Sequence, residues 1–481
     1  MNEFIGREKE MSILESIYSK KGLGTLMVYG RRRIGKTTLL QEFIKDKKSV
    51  MIRSFESSFY ENFVKMKRMV SKFIGRDISA EESVSNVFDE LTTECSKGKC
   101  VVVFDELPYL LKGYPAFSSI LQGFIDGCRD MDMMIVICGS SISTLMSETR
   151  EASKPLYQRF DHEMLVDDLP YRTCMQFHRD MSDLDALKVY MTVGGIPLYH
   201  RLMDCPTYEE CLEKCFLGPT ATLNTESQYI ITSELSPSEH YTSIVACIAE
   251  GAVKQSKIAS KLSLDKGTLS KRMSKLIMLK VLDQVHPMIG APSHPVYEIR
   301  DNLIAFQFEV LDRNIGIVDS IGLSTEEKID LMRNDISTFL GRRFERLCMD
   351  YISSEYRSID QGRWWGMVNT DDFDGNGNPI RTVEDIDIVN LMIDRNKRRV
   401  MMISECKFRR SPMTFQALNK LGIRWDASGE KGVPEIMLFS ASGFEDNLVE
   451  YAEDNGIALI GLDILVGKEE SPDMHGLRRT T

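Results

Sequence analysis

Short apolar runs alternate with amphipathic stretches through the first 170 residues. Runs at 25–29, 50–54, 101–104, 134–138 and 163–166 are rich in β-branched residues and read as strands. Between the second and third, Val84, Val87, Phe88 and Leu91 recur at helical spacing. Strand and helix patterns alternating in this way predict an α/β fold, a parallel sheet covered by helices, over residues 1–170. Residues 171–239 read as mostly helical. Over 240–300, Ile244, Val245 and Ile248 mark one amphipathic helix and 255–262 a second. A third spans 265–279, with Leu269, Met273, Leu276 and Ile277 facing inward, and apolar runs at 281–285 and 296–299 follow. Three helices and a hairpin predict a winged helix-turn-helix. Residues 301–335 read as a linker, 336–467 as a second α/β domain, and 468–481 as a disordered polar tail.

At 481 residues the chain exceeds what one hydrophobic core serves, so two large domains are expected. The net charge of −11 argues against a general nucleic-acid coat, so any such contact must be local. Eleven cysteines occur with no C-x-x-C pair, which fits a reduced cytoplasmic setting better than a disulfide framework. The first residues carry no basic-then-apolar signal, and no apolar run suits a membrane span; no membrane association is expected.

The strongest chemical signal is Gly30-Arg31-Arg32-Arg33-Ile34-Gly35-Lys36-Thr37, which fits G-x-x-x-x-G-K-[ST] between a strand and a helix. Glycines let main-chain N–H groups curl toward phosphate oxygens at a helix N-terminus. Lys36 then reaches the β- and γ-phosphates of ATP, and the Thr37 hydroxyl ligates Mg²⁺; Thr38 completes the binding segment. The apolar run 101–104 ends in Asp105 and Glu106. Asp105 is expected to hold Mg²⁺ through water and Glu106 to polarise the attacking water; alone, two acids also simply cap a strand. The run 135–138 leads into Gly139, Ser140 and Ser141, either a phosphate sensor or a small-residue turn. Arg159 reads as a structural arginine or a cationic finger.

Phe4-Ile5-Gly6-Arg7-Glu8, the Walker loop, the segment Asp105 to Tyr109, Gly139-Ser140-Ser141 and Gly194-Gly195-Ile196-Pro197 together resemble the archaeal-type ATPase family. That family is AAA+-like and related to the signal-transduction ATPases with numerous domains. The resemblance implies a helical lid over 171–239. It also implies that Phe4, Ile5 and Arg7 lie near the adenine and that Gly195 and Pro197 touch the nucleotide. Gln158 stands where the pattern expects glycine before Arg159, a departure that leaves that arginine's role open.

Between Gly251 and Lys280, eight basic residues face one acid, Asp265, a patch suited to DNA phosphates. The alternative is a winged helix used only for packing between domains. Further on, Gly341 to Glu345 reads as the start of an amphipathic helix. Glu384 to Val389 alternates acid and apolar residues, and 400–408 contains Glu405-Cys406-Lys407. Period-two alternation puts Glu405 and Lys407 on one face. Asp387 and Glu405 are candidate ligands for Mg²⁺, with Lys407 the candidate to neutralise charge on a phosphate and Glu345 an outer-shell acid. With Gly362-Arg363-Trp364-Trp365, this resembles the PD-(D/E)XK, restriction-endonuclease-like superfamily. DNA cleavage and a nuclease-like scaffold used only for binding both stay open, and the second would fit an ATP-gated regulatory switch that binds protein partners with no nuclease activity. An oligomer is compatible with the sequence.

Overall fold

The computed structural model describes residues 4–234, 240–290, 294–373, 379–474 and 476–477. They form two compact units: Met1–Thr173 with Ile196–Leu198, and Cys174–Gly195 with Tyr199–Thr481.

The first unit is built on five strands: β1 (Leu23–Tyr29), β2 (Ser49–Arg53), β3 (Cys100–Asp105), β4 (Met133–Gly139) and β5 (His162–Leu165). Their order is β2-β3-β4-β1-β5 and every pairing is parallel. All residues of β3 and β4 are buried, because helices cover both faces of the sheet centre. Helices Phe59–Ile74, Val84–Cys95 and Phe117–Gly127 each turn an apolar stripe toward it. Phe88, Phe104, Phe117 and Phe124 make one aromatic cluster, with Phe88 and Phe124 centroids 5.0 Å apart. Burying each such ring stabilises the unit by roughly 1.5–3 kcal/mol. The parallel arrangement matters for function: the carboxyl ends of β1, β3 and β4 all emerge on one edge.

In the second unit, helices Tyr241–Ala249, Gln255–Leu262 and Lys266–Met278 precede a two-stranded antiparallel hairpin, β6 (Leu282–Val285) and β7 (Val296–Ile299). Asp265 caps the third helix by accepting the Thr268 N–H at 2.9 Å. The far part of this unit carries β8 (Ser358–Phe373), β9 (Pro379–Ile393), β10 (Arg399–Lys407), β11 (Glu435–Ser440) and β12 (Ala458–Ile460). Their order is β12-β11-β10-β9-β8; β8-β9-β10 is an antiparallel meander and β10-β11-β12 is parallel. The first α/β reading thus has its counterpart here, with helix Phe415–Ser428 packed by Leu418, Leu421 and Trp425 on the β-sheet core.

Three expectations need correction. Residues 301–335, read as a linker, are largely helical and bury Leu303, Ile304, Phe306, Val310 and Leu311. Gly341–Glu345 does not open a helix. It lies in the middle of the 31-residue helix Thr325–Glu355, which starts at a capping box of Ser324 and Glu327. The tail read as disordered is docked over its described part: Met474 and Leu477 are buried, and the Tyr351 and Tyr356 hydroxyls donate to Ser471 Oγ and the Pro472 carbonyl, each at 2.8 Å. Two apolar residues spaced by three were too faint a signal against a charged stretch. Residues 475 and 478–481 lie outside the described residues.

Candidate functional site

β1 ends at Tyr29 and the chain turns through Gly30–Gly35 into helix Lys36–Ile44. Gly30 packs so tightly that a Cβ would strike the Val166 carbonyl oxygen beyond β5. Arg33 (φ 67°) and Gly35 (φ 95°) take left-handed conformations, which curl the loop. Lys36 is buried and its Nζ donates to the Gly30 and Arg31 carbonyls at 2.8 and 2.9 Å. The ammonium is thereby held across the loop. Ile34 anchors the loop in the core, and Thr38 is exposed. Arg32 donates to the Tyr109 hydroxyl.

Thr37 Oγ1 donates to Asp105 Oδ2 at 2.9 Å, joining the helix to the end of β3. Asp105 is fully buried, and burial raises its pKa above the usual carboxylate value although the Thr37 bond opposes this. Its Oδ1 has no hydrogen-bond partner among the described residues, and the Cys138 thiol interacts with the carboxylate. A hydroxyl beside a buried carboxylate with a spare oxygen fits Mg²⁺ carried in on nucleotide phosphates. Arg53 Nε stands 3.6 Å from Asp105, a cation the sequence reading missed because it sits on the neighbouring strand β2.

Glu106 adopts φ 55°, the left-handed region uncommon for a side-chain-bearing residue. Its Oε2 accepts from the Ser140 main-chain N–H and hydroxyl, both at 3.0 Å. β4 lies between β1 and β3, so its end delivers Ser140 to Glu106. Gly139 permits this approach, since a Cβ there would come within 2.6 Å of Pro108 Cδ. Ser140 therefore holds the carboxylate rather than standing free as a sensor.

Arg7 is buried and donates to the Ile34 carbonyl at 3.0 Å and the Asp167 carbonyl at 2.6 Å, with Glu10 as its ion pair. It buttresses the phosphate loop, while Phe4 and Ile5 are half-buried. Pro197 reaches the loop: its Cγ is 4.0 Å from the position of a Cβ on Gly35. Gly195 is buried. Arg159 pairs with Asp126 at 3.0 Å, a structural role.

In the second unit, Asp387 Oδ2 accepts the Cys406 N–H at 2.7 Å. Burial, then the charges of Glu405 and Glu345, raise the Asp387 pKa well above the usual range. Glu405 is tied to Lys407 on one oxygen and to Arg424 Nη1 at 2.8 Å on the other. Glu345 pairs with Arg363. Pairing of β9 with β10 sets Asp387 beside Glu405 and Lys407, and the helix Thr325–Glu355 brings Glu345 within electrostatic reach of Asp387; Glu405 and Glu345 are both held in ion pairs. Among the described residues no group of three or more His, Cys, Asp or Glu side chains is placed to hold a metal ion. Arg424, which also binds Glu384 at 2.8 Å, was not legible in the sequence: a single arginine on a helix carries no periodic signal.

The basic face is exposed. Lys254, Lys257, Lys261, Lys266, Lys271 and Lys275 are solvent-facing, and Arg272 and Lys280 are half-buried; Lys261 pairs with Glu250. Among the described residues no helix is long and apolar enough to cross a membrane.

A parallel five-stranded sheet with a phosphate loop, an intervening strand and an Asp-Glu pair defines a P-loop ATPase unit. Comparison with known proteins agrees: residues 4–200 match the family described as an ATPase domain predominantly from Archaea. Residues 317–420 match a family of archaeal and bacterial proteins of unknown function. An uncharacterized protein of Methanocaldococcus jannaschii is 24% identical over 372 residues, covering 75% of this chain and 82% of the relative. An uncharacterized ATP-binding protein of the same organism is 38% identical over 45 residues, 9% of this chain and 76% of that one. The Aeropyrum pernix ORC1 protein, solved in complex with DNA, is similar with a TM-score of 0.35 and 12% identity over 66% of this chain and 95% of its own. The ATPase-domain match supports ATP binding and hydrolysis by this chain.

Proposed function

We propose that the chain binds Mg²⁺-ATP at the Gly30–Thr38 loop, hydrolyses it, and couples nucleotide state to a DNA-contacting second unit. The observation that carries the reading is the Thr37–Asp105 hydrogen bond, which sets the two metal-side groups together at the mouth of the phosphate loop. Lys36 exchanges its carbonyl partners for phosphate oxygens. Thr37 and Asp105 would hold Mg²⁺, which would supply neutralisation of charge on the phosphates. Glu106 must leave Ser140 to orient water, so hydrolysis is restrained until that hydrogen bond opens. Phe4, Ile5 and Arg7 belong to the adenine side, and Gly195 and Pro197 to a lid that ATP orders. Lys36→Ala is expected to abolish nucleotide-dependent heat in calorimetry; retained binding of Mg²⁺-ATP by that variant would remove the reading.

On the DNA side, the three helices and hairpin at 241–299 are read as a winged helix whose exposed lysines contact phosphates. In the far domain, read as PD-(D/E)XK-like, a second possibility is metal-dependent cleavage through Asp387, Glu405 and Lys407. The ion pairs on Glu405 favour the alternative, a nuclease-like scaffold that binds without cutting. A gel assay on supercoiled DNA with Mg²⁺ or Mn²⁺ decides: nicking lost in Lys407→Ala establishes cleavage, and intact plasmid with the wild type establishes the scaffold.

A further inference from the structure

A cavity of about 710 Å³ opens in the second unit between the hairpin β6–β7, the middle of helix Thr325–Glu355 and strand β8. Its wall carries Arg300, Arg342, Arg343, Arg346 and Arg363. The sequence reading assigned none of these five arginines a role at a site. Residues 342 and 346 are four apart, so one helix face presents both guanidiniums to the same space.

Carboxylates do not pair with these cations one to one. Asp283 is shared by Arg300 at 3.2 Å and Arg346. Glu309 is shared by Arg342 at 2.8 Å and Arg343 at 3.5 Å. Arg363 runs the other way, between Glu298 at 3.0 Å and Glu345. The lining therefore carries five guanidiniums and five carboxylates: Asp283, Glu298 and Glu309 are half-buried, with Asp283 and Glu309 each shared between two arginines, and Asp350 and Asp360 are exposed. Arg343 is the buried member. Its side chain is 8% exposed, one Nη donates to the Ile299 carbonyl at 2.9 Å, and its Nε has no hydrogen-bond partner among the described residues. Burial pulls its pKa down to about 10, as expected for a guanidinium with incomplete compensation. A buried cation that shares its counterion is costly unless a further anion completes it.

We propose that this cavity is a phosphate-binding subsite, with Arg342 and Arg346 as its anchors and Arg343 as its buried cation. Guanidinium forks match phosphate oxygens two by two, which a carboxylate shared between two arginines leaves incomplete. Arg363 places the subsite beside the acidic cluster, since the same guanidinium lines the cavity and pairs with Glu345. The phosphate comes from a nucleic-acid strand, which rests on the DNA-contacting reading above, or from a free nucleotide; the chemistry of capture is shared.

The test uses the full-length Lys36→Ala protein, so that the phosphate loop does not compete, and titrates inorganic pyrophosphate, a single-stranded oligonucleotide and AMP by calorimetry. Arg342→Gln/Arg346→Gln added to that background is expected to weaken pyrophosphate at least tenfold, whereas Lys45→Gln/Lys97→Gln, at two exposed surface lysines, leaves it unchanged. A thermal midpoint within a few degrees of the parent verifies that the arginine variant is folded, and Arg300→Gln provides a second, independent probe on the hairpin side of the cavity. Pyrophosphate binding that is absent, or indifferent to all three arginine substitutions in folded protein, overturns the subsite. Arginine-dependent oligonucleotide binding assigns the phosphate to a strand. Arginine-dependent binding of pyrophosphate and AMP alone retains the subsite and removes its nucleic-acid source.

Discussion

Glu106 carries two burdens at once: a left-handed backbone and a side chain held by two hydrogen bonds from Ser140. Backbone strain of this kind costs roughly 1–3 kcal/mol and persists where surrounding packing overrides it. Glu106→Gln is expected to lower kcat by about 100-fold, the usual scale for a general base, with nucleotide affinity kept. Ser140→Ala removes one of the two holding bonds and is expected to raise basal hydrolysis a few-fold, read in a phosphate-release assay. Unchanged turnover in that variant would show that the hydrogen bond restrains nothing. At the same scale, His178 Nε2 and His200 Nδ1 lie 2.9 Å apart in the interior, and His200 Nε2 lies 2.7 Å from the Gly194 carbonyl. Burial lowers their pKa values to about 4 and about 3. Folding therefore releases protons that the unfolded imidazoles hold below their ordinary value of about 6.5. Their contribution to stability is complete above that pH and is lost as acidity increases toward pH 4, at up to about 1.4 kcal/mol per pH unit for each ring. Denaturant titrations from pH 7 to 4.5 should show this slope, and His178→Gln/His200→Gln should flatten it.

Elements show how local rules and packing divide the work. Gly30 is required by its neighbour: any side chain would collide with the Val166 carbonyl, so Gly30→Ala must displace the loop from β5. Loss of detectable Mg²⁺-ATP binding in a folded Gly30→Ala protein is expected. Helix Thr325–Glu355 begins at a capping box that sequence alone displays as Ser324-x-x-Glu327, yet its length is set by the core residues along it, Ile336, Phe339, Phe344 and Leu347 among them. The docked tail is a tertiary outcome. Truncation after Gly467 removes the burial of Met474 and Leu477 and leaves the Tyr351 and Tyr356 hydroxyls without their partners. A loss of about 3–5 kcal/mol is expected in chemical denaturation; an unchanged midpoint would show that the tail contributes nothing.

For the whole molecule, nucleotide-dependent ordering is expected to appear as a changed pattern of limited proteolysis over residues 174–240 when Mg²⁺-ATP is added, with no change in Lys36→Ala. Identical digestion with and without nucleotide in the wild type would end the coupling proposal. The phosphate loop and the five strands of the first unit were readable from the chain, because a parallel sheet buried on both faces needs continuous apolar runs and a phosphate loop needs its glycines. The three-helix-and-hairpin pattern was equally plain, since amphipathic spacing is local information. What lay beyond reach were pairings between distant residues. Ser140 on Glu106, Arg53 by Asp105, Arg424 on Glu405 and the shared arginines around Asp283 and Glu309 join positions with no fixed spacing between them. Sequence by itself determined the strands of the first unit, its glycine-rich loop and the three-helix-and-hairpin pattern; the helices of 301–335, the docked tail and which charges meet were decided only by the folded arrangement, because packing partners and electrostatic partners are chosen by proximity in space and by burial.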